Sequence, residues 1–213
     1  MLIRLRFSFL LAAVFLAPFA LAGCGSDKPT RLYVLSATTE QPTAMSPQGI
    51  AIGIGPITLP KYLDRPQIVI GVSANQLTQA NFDQWGGDLN DNMTRVLATD
   101  LSNLLGTERV SFYPWKDRAP IDFQVTLDVS KFESEADGST VLGVFWSLVN
   151  PNDGTVLEMH RSTYHDAGKA IGAGTPGTAA SNGEYDAAVA AMSRNLGLLS
   201  QDIATAIKAH KAS

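Results

Sequence analysis

Cysteine is nearly absent: the 213 residues hold one, at position 24. No disulfide can close within such a chain, and a cysteine-rich zinc cluster is excluded with it. Histidine is scarce too, with three. His160 and His165 are five apart on a strand-like stretch, an odd spacing that puts them on opposite faces and separates them as a metal pair. His210 lies near the C-terminus, where a fraying tail is expected. Basic residues number 16 against 20 acidic, a net charge of −4. Nucleic-acid binding calls for a basic patch or stripe, so nucleic acid is not an expected partner. The local signatures of two common chemistries are also missing. There is no Gly-x-Ser-x-Gly nucleophile elbow. The glycine-rich residues 166–183 lack the Gly-Lys-Ser/Thr ending of a phosphate-cradling loop and read as a flexible connector. No catalytic constellation, metal site or cofactor site is expected, and the chain does not read as an enzyme.

What is present is 45% hydrophobic and 17% charged, the balance of one folded domain. The longest apolar run, residues 7–22, follows Arg4 and Arg6 and is interrupted by Ser8 and Pro18. It is short of the ~20 residues of a spanning helix and has the size and place of an export signal. It ends in Leu21-Ala22-Gly23-Cys24, which resembles the lipobox of bacterial prolipoproteins. That resemblance implies a diacylglyceryl thioether on Cys24, cleavage before it, and acylation of the new amino terminus with palmitate-type chains. Each buried CH2 adds about 0.8 kcal/mol, so two or three chains make release negligible. The expected organisation is a signal peptide over 1–23, a tether over 24–30 and a single domain over 31–210. Loss of Arg4 and Arg6 leaves 14 basic and 20 acidic residues, a side-chain charge of −6. In enterobacterial-type sorting an Asp after the lipidated cysteine retains the protein in the inner membrane. Gly25 stands there instead, which favours the outer membrane, on its periplasmic face.

The pattern along the body predicts strands over 31–36, 50–57, 67–72, 109–112, 123–130, 141–149 and 155–164, with a short hairpin arm over 75–82. Residues 141–149 are apolar on both faces, as in a central strand. Helices are predicted over 88–105, with Gly106 as its stop, and from a Ser181/Glu184 capping box onward. In the second, Tyr185, Val189, Met192, Leu196, Leu199, Ile203 and Ile207 recur at intervals of three and four, a stripe expected to face the chain's own sheet. Asp137-Gly138 reads as a turn. Glu133 and Glu135 beside it read as a solvated hairpin end, since the spacing of a calcium loop is absent.

Residues 60–66 (PKYLDRP) cannot be regular, because a proline stands at each end. Asp64 and Arg65 sit inside that turn and either cap local backbone groups or face a partner. Tyr62, Trp85 and Trp115 are the aromatics grouped with them as partner-contact candidates, although core packing is the default for each.

The string Leu59-Pro60-Lys61-Tyr62-Leu63-Asp64-Arg65-Pro66-Gln67-Ile68-Val69 resembles the signature of PqiC/YmbA-type auxiliary lipoproteins of ABC transporters. In the family's order follow Leu32-Tyr33-Val34-Leu35, Trp85, Pro114-Trp115, Trp146 and Ala191-Met192-Ser193-Arg194-Asn195-Leu196. Gln84 departs from the family's frequent Arg, and the 166–183 segment is longer than usual. The resemblance implies an α/β three-layer sandwich with a mixed, largely antiparallel sheet and two main helices, similar to the N-terminal domain of the Tol-system protein TolB. It implies a docking or adaptor role in an MCE-type transport system for lipid or another hydrophobic cargo. There an MCE-domain protein spans the periplasm and a separate ABC ATPase and permease supply the energy. A ring of copies matching a multimeric partner is compatible with that role. Two other readings stand beside it: a periplasmic lipid carrier, and an envelope protein contacting Tol-like or peptidoglycan partners.

Overall fold

A computed structural model describes residues 29–115, 120–135, 138–167 and 182–212. The signal, Cys24, most of the tether, Asp137, Ser181 and most of the glycine-rich connector lie outside these residues.

Among these residues, eight strands and two helices follow in the order β1 (Arg31–Tyr33), β2 (Ile52–Thr58), β3 (Gln67–Ser73), β4 (Gln76–Trp85), α1 (Leu89–Leu105), β5 (Val110–Phe112), β6 (Phe123–Ser134), β7 (Thr140–Val149), β8 (Val156–Asp166) and α2 (Asn182–Lys211). The sheet is built on β6. On one side β7 pairs antiparallel along its whole length, and β8 follows. On the other side two strands share the edge. β2 runs parallel to the first half of β6, from Ile52 beside Phe123 to Thr58 beside Asp128, and β3 joins at the far end, Ile70 beside Ser134. β5 extends the sheet beyond β2, and β4 and β1 extend it beyond β3. The antiparallel ladders are the long ones, so the sheet is mixed and largely antiparallel, as expected.

Both helices cover the same face. α1 packs on β2 and β5, α2 on β6, β7 and β8, and the two pack on each other. Asp88 caps α1 by accepting from the Asn90 amide, and Gly106 ends it in the left-handed conformation at φ 60°. All seven residues of the α2 stripe are buried. They meet Leu142, Val144, Trp146 and Leu148, the alternate residues of β7, in one core. The opposite face is partly covered. Trp115 and Ile121 lie over Gly53, where a Cβ would come within 2.7 Å of the Trp115 ring. Beyond them Asp128, Ser130 and Phe145 are exposed, with the Arg161 guanidinium 5.3 Å from the Phe145 ring centre.

Three local expectations change. β4 continues to Trp85, three residues past the predicted arm, because β1 pairs with its last turn of chain, Arg31 beside Asp83 to Tyr33 beside Trp85. β6 continues to Ser134, because β7 keeps pairing with it. His210 is helical and held: its Nε2 lies 2.9 Å from Glu158 Oε1, whose other oxygen lies 2.7 Å from His160 Nε2. No helix among the described residues is long and apolar enough to cross a membrane.

Candidate functional site

The turn exists because β2 and β3 share one edge of β6 without meeting. Residues 59–66 leave the sheet after Thr58 and return at Gln67, opposite the stretch of β6 around Ser130. Successive residues of the turn face different environments. Leu63 points inward and is 2% exposed. Its amide donates to the Pro60 carbonyl at 2.9 Å, and the Arg65 amide donates to the Leu63 carbonyl at 2.8 Å, so the backbone closes on itself. Tyr62 is half-buried and lies along β6, its hydroxyl 3.4 Å from the Ser130 carbonyl. Burial, then the charge of Glu133, pushes the Tyr62 phenol up to about 12. Asp64 and Arg65 point outward and are exposed. Among the described residues, Arg65 donates from Nη1 to the Gln79 side-chain oxygen at 2.9 Å, on the neighbouring strand β4.

Glu133 is the residue that sequence reasoning placed wrongly. It is 3% exposed, not part of a solvated hairpin end. Lys131 Nζ approaches one carboxylate oxygen at 3.3 Å and also pairs with Glu135. Burial lowers the Lys131 pKa, but these carboxylates outweigh it and hold the group above its ordinary value. Among the described residues, the second oxygen of Glu133 has no hydrogen-bond partner. A buried carboxylate with a free lone pair is costly to keep. The only sequence signal for it was its position, ten residues into a strand whose pattern had already broken.

The two tryptophans separate from the turn. Trp85 is 4% exposed and stacks on Phe132 at 6.4 Å. Its amide donates to the Pro66 carbonyl at 2.7 Å. It therefore supports the turn from the core and offers no surface. Trp115 is half-buried, edge-on to Tyr113 at 5.6 Å, and sits over Gly53. Gly53 is five residues up β2 from Thr58, about 17 Å at strand spacing. The grouped candidates reduce to Tyr62, Asp64 and Arg65, with Glu133 added beneath.

The motif in α2 is spent differently. The Ser36 amide donates to Ser193 Oγ at 3.1 Å, which donates onward to the Val189 carbonyl. Arg194 makes a two-pronged pair with Asp166 at 2.8 and 2.6 Å. Asn195 Nδ2 donates to both oxygens of Thr140. These residues tie the helix to β8, β7 and the chain after β1.

Residues 33–204 match the family described as ABC-type transport auxiliary lipoprotein component. No curated protein matches the chain. Among solved structures, an uncharacterized protein shares 20% identity at a TM-score of 0.64, covering 84% of this chain and 99% of its own. Protein XCC0632 from Xanthomonas campestris shares 13% at a TM-score of 0.65, covering 86% and 100%. Both show the same fold. With most of its folded body matched, this chain belongs to the ABC-type transport auxiliary lipoprotein family.

Proposed function

We propose that this protein is the docking component of an MCE-type ABC transport system for lipid or another hydrophobic molecule, held by acyl chains on Cys24 at the periplasmic face of the outer membrane. The 60–66 turn receives the periplasm-spanning MCE-domain protein, and that protein connects to the permease and ATPase. One observation carries the reading: the most specific motif in the chain holds a turn that is seated in the core by buried Leu63 and carries Lys61, Asp64 and Arg65 exposed to solvent. A guanidinium beside a carboxylate on a rigid turn gives geometric specificity for a complementary polar surface. Its role is recognition, without catalysis. Gly25 after Cys24 supports the outer-membrane assignment.

A carrier role would need an enclosed apolar pocket. The groove between β1 and α2, about 430 Å3, has Asp186 and Arg194 in its wall. The one between β8 and α2, about 320 Å3, has Glu158, His160 and Asp202. Neither lining suits an acyl chain.

The test is co-purification. Arg65→Ala is expected to lose most of the MCE-domain protein captured by the wild-type lipoprotein while its melting temperature stays within a few degrees. A parallel loss of folding, or unchanged capture, contradicts the assignment.

A further inference from the structure

The β3–β4 hairpin is uncharged from Gln67 to Phe82. Residues 67–82 contain no Asp, Glu, Lys or Arg, although the body around them is acidic. Near its tip, where Ser73 pairs with Gln76, Val72 and Leu77 are 42% and 44% exposed.

The chain enters the fold beside this hairpin. β1 runs parallel to β4, with Arg31 level with Asp83, so β1 begins at its end nearer the hairpin tip. β4 is bulged, and β3 spans the same hairpin from Gln67 to Ser73 in six residues, so Asp83 lies within about 20 Å of the tip. From Arg31 to Cys24 is seven residues, at most about 25 Å fully extended. The root of this tether is fixed. Arg31 forms a two-pronged pair with Asp83 at 2.6 and 2.8 Å, and the Tyr33 hydroxyl donates to the same carboxylate at 3.0 Å. Asp83 is 4% exposed, so peeling β1 away to gain length would strand a buried charge. Cys24 can therefore reach the hairpin tip and only a few ångströms beyond it.

We propose that the tip of the β3–β4 hairpin is the surface on which this protein rests against the lipid bilayer. The proposal depends on the lipidation of Cys24. An uncharged tip suits that contact: anionic headgroups repel carboxylates within about 8–10 Å, and exposed Val72 and Leu77 lose nothing by entering the interface. The opposite end of β4 meets the turn, the Trp85 amide bonding the Pro66 carbonyl. Along β3, from Gln67 beside the turn to Ser73 at the tip, is six residues, about 20 Å, so Asp64 and Arg65 stand off the membrane, facing a partner that crosses the periplasm.

The full-length, lipidated protein in phosphatidylethanolamine/phosphatidylglycerol vesicles provides the test. The acylated Cys24 thiol is blocked, so Leu77→Cys and Asp64→Cys each offer one site for an environment-sensitive fluorophore. Headgroup spin-labelled lipid is expected to quench the label at position 77 several-fold more than at 64. A dozen-residue Gly/Ser insertion after Ser26 is expected to bring position 77 down toward 64. Vesicle flotation reads the anchor separately. A floated protein whose two labels are quenched equally, weakly or strongly, overturns the hairpin contact. A folded protein that does not float removes the lipid anchor and the proposal with it.

Discussion

Two motifs carry the family likeness, and they use their residues in opposite ways. The 191–196 stretch of α2 turns its side chains into the fold: Met192 and Leu196 are fully buried, Asn195 is bonded to Thr140, and Arg194 to Asp166. The 59–66 stretch turns only part of itself inward. Leu63 is buried, Tyr62 leans on β6, and Asp64 and Arg65 are left in solvent. A recurring string is thus no single kind of information. One string describes how a helix is fastened, and the other how a charged tip is held still.

Substitutions that empty each interior side give the largest effects. Leu196→Ala should cost about 2–5 kcal/mol in denaturant unfolding, since a fully buried leucine leaves both lost transfer energy and a cavity. Leu63→Ala should fall at the lower end of the same range, about 2–3 kcal/mol, because a surface turn can partly collapse into the space. A loss below about 1 kcal/mol at Leu63 would show that the turn is not seated by the core.

The α2 region also has a pH-dependent tie that the turn lacks. The hydrogen bond from His160, and then that from His210, hold the Glu158 carboxyl below its ordinary value of 4.5 against the opposing effect of burial. A group depressed in the folded state stabilises it above the unfolded value. That contribution is lost as pH falls through the folded value. Glu158→Gln should therefore flatten the decline in stability below about pH 4.5. An unchanged acid limb would show that the clasp between β8 and the end of α2 is absent in solution. Arg65→Ala stands at the small end, with a stability change within about 0.5 kcal/mol, as for an exposed side chain with one neutral partner.

The helices and the turn were legible in the sequence because their signals are local. A three-four stripe, a glycine stop and two flanking prolines each act within a few residues of chain. What was not legible depends on distant pairing. β4 outruns its predicted arm because β1, some fifty residues earlier, lies against its end. Glu133 reads as solvent-facing in a strand tail, yet the turn that lies beside β6 comes from residues 59–66. His210 reads as a frayed tail until Glu158, fifty-two residues away, is brought against it. Trp85 stands among the contact candidates with core packing as its default, and the stacking on Phe132 places it inside.

The most direct measurement is a photocrosslink in intact cells. A photoreactive residue placed at position 65 is expected to yield one dominant adduct with the MCE-domain protein, and the same residue at exposed Leu198 on α2 is expected to yield none. No adduct at position 65, or equal adducts at both positions, would contradict the account of the turn as the docking surface.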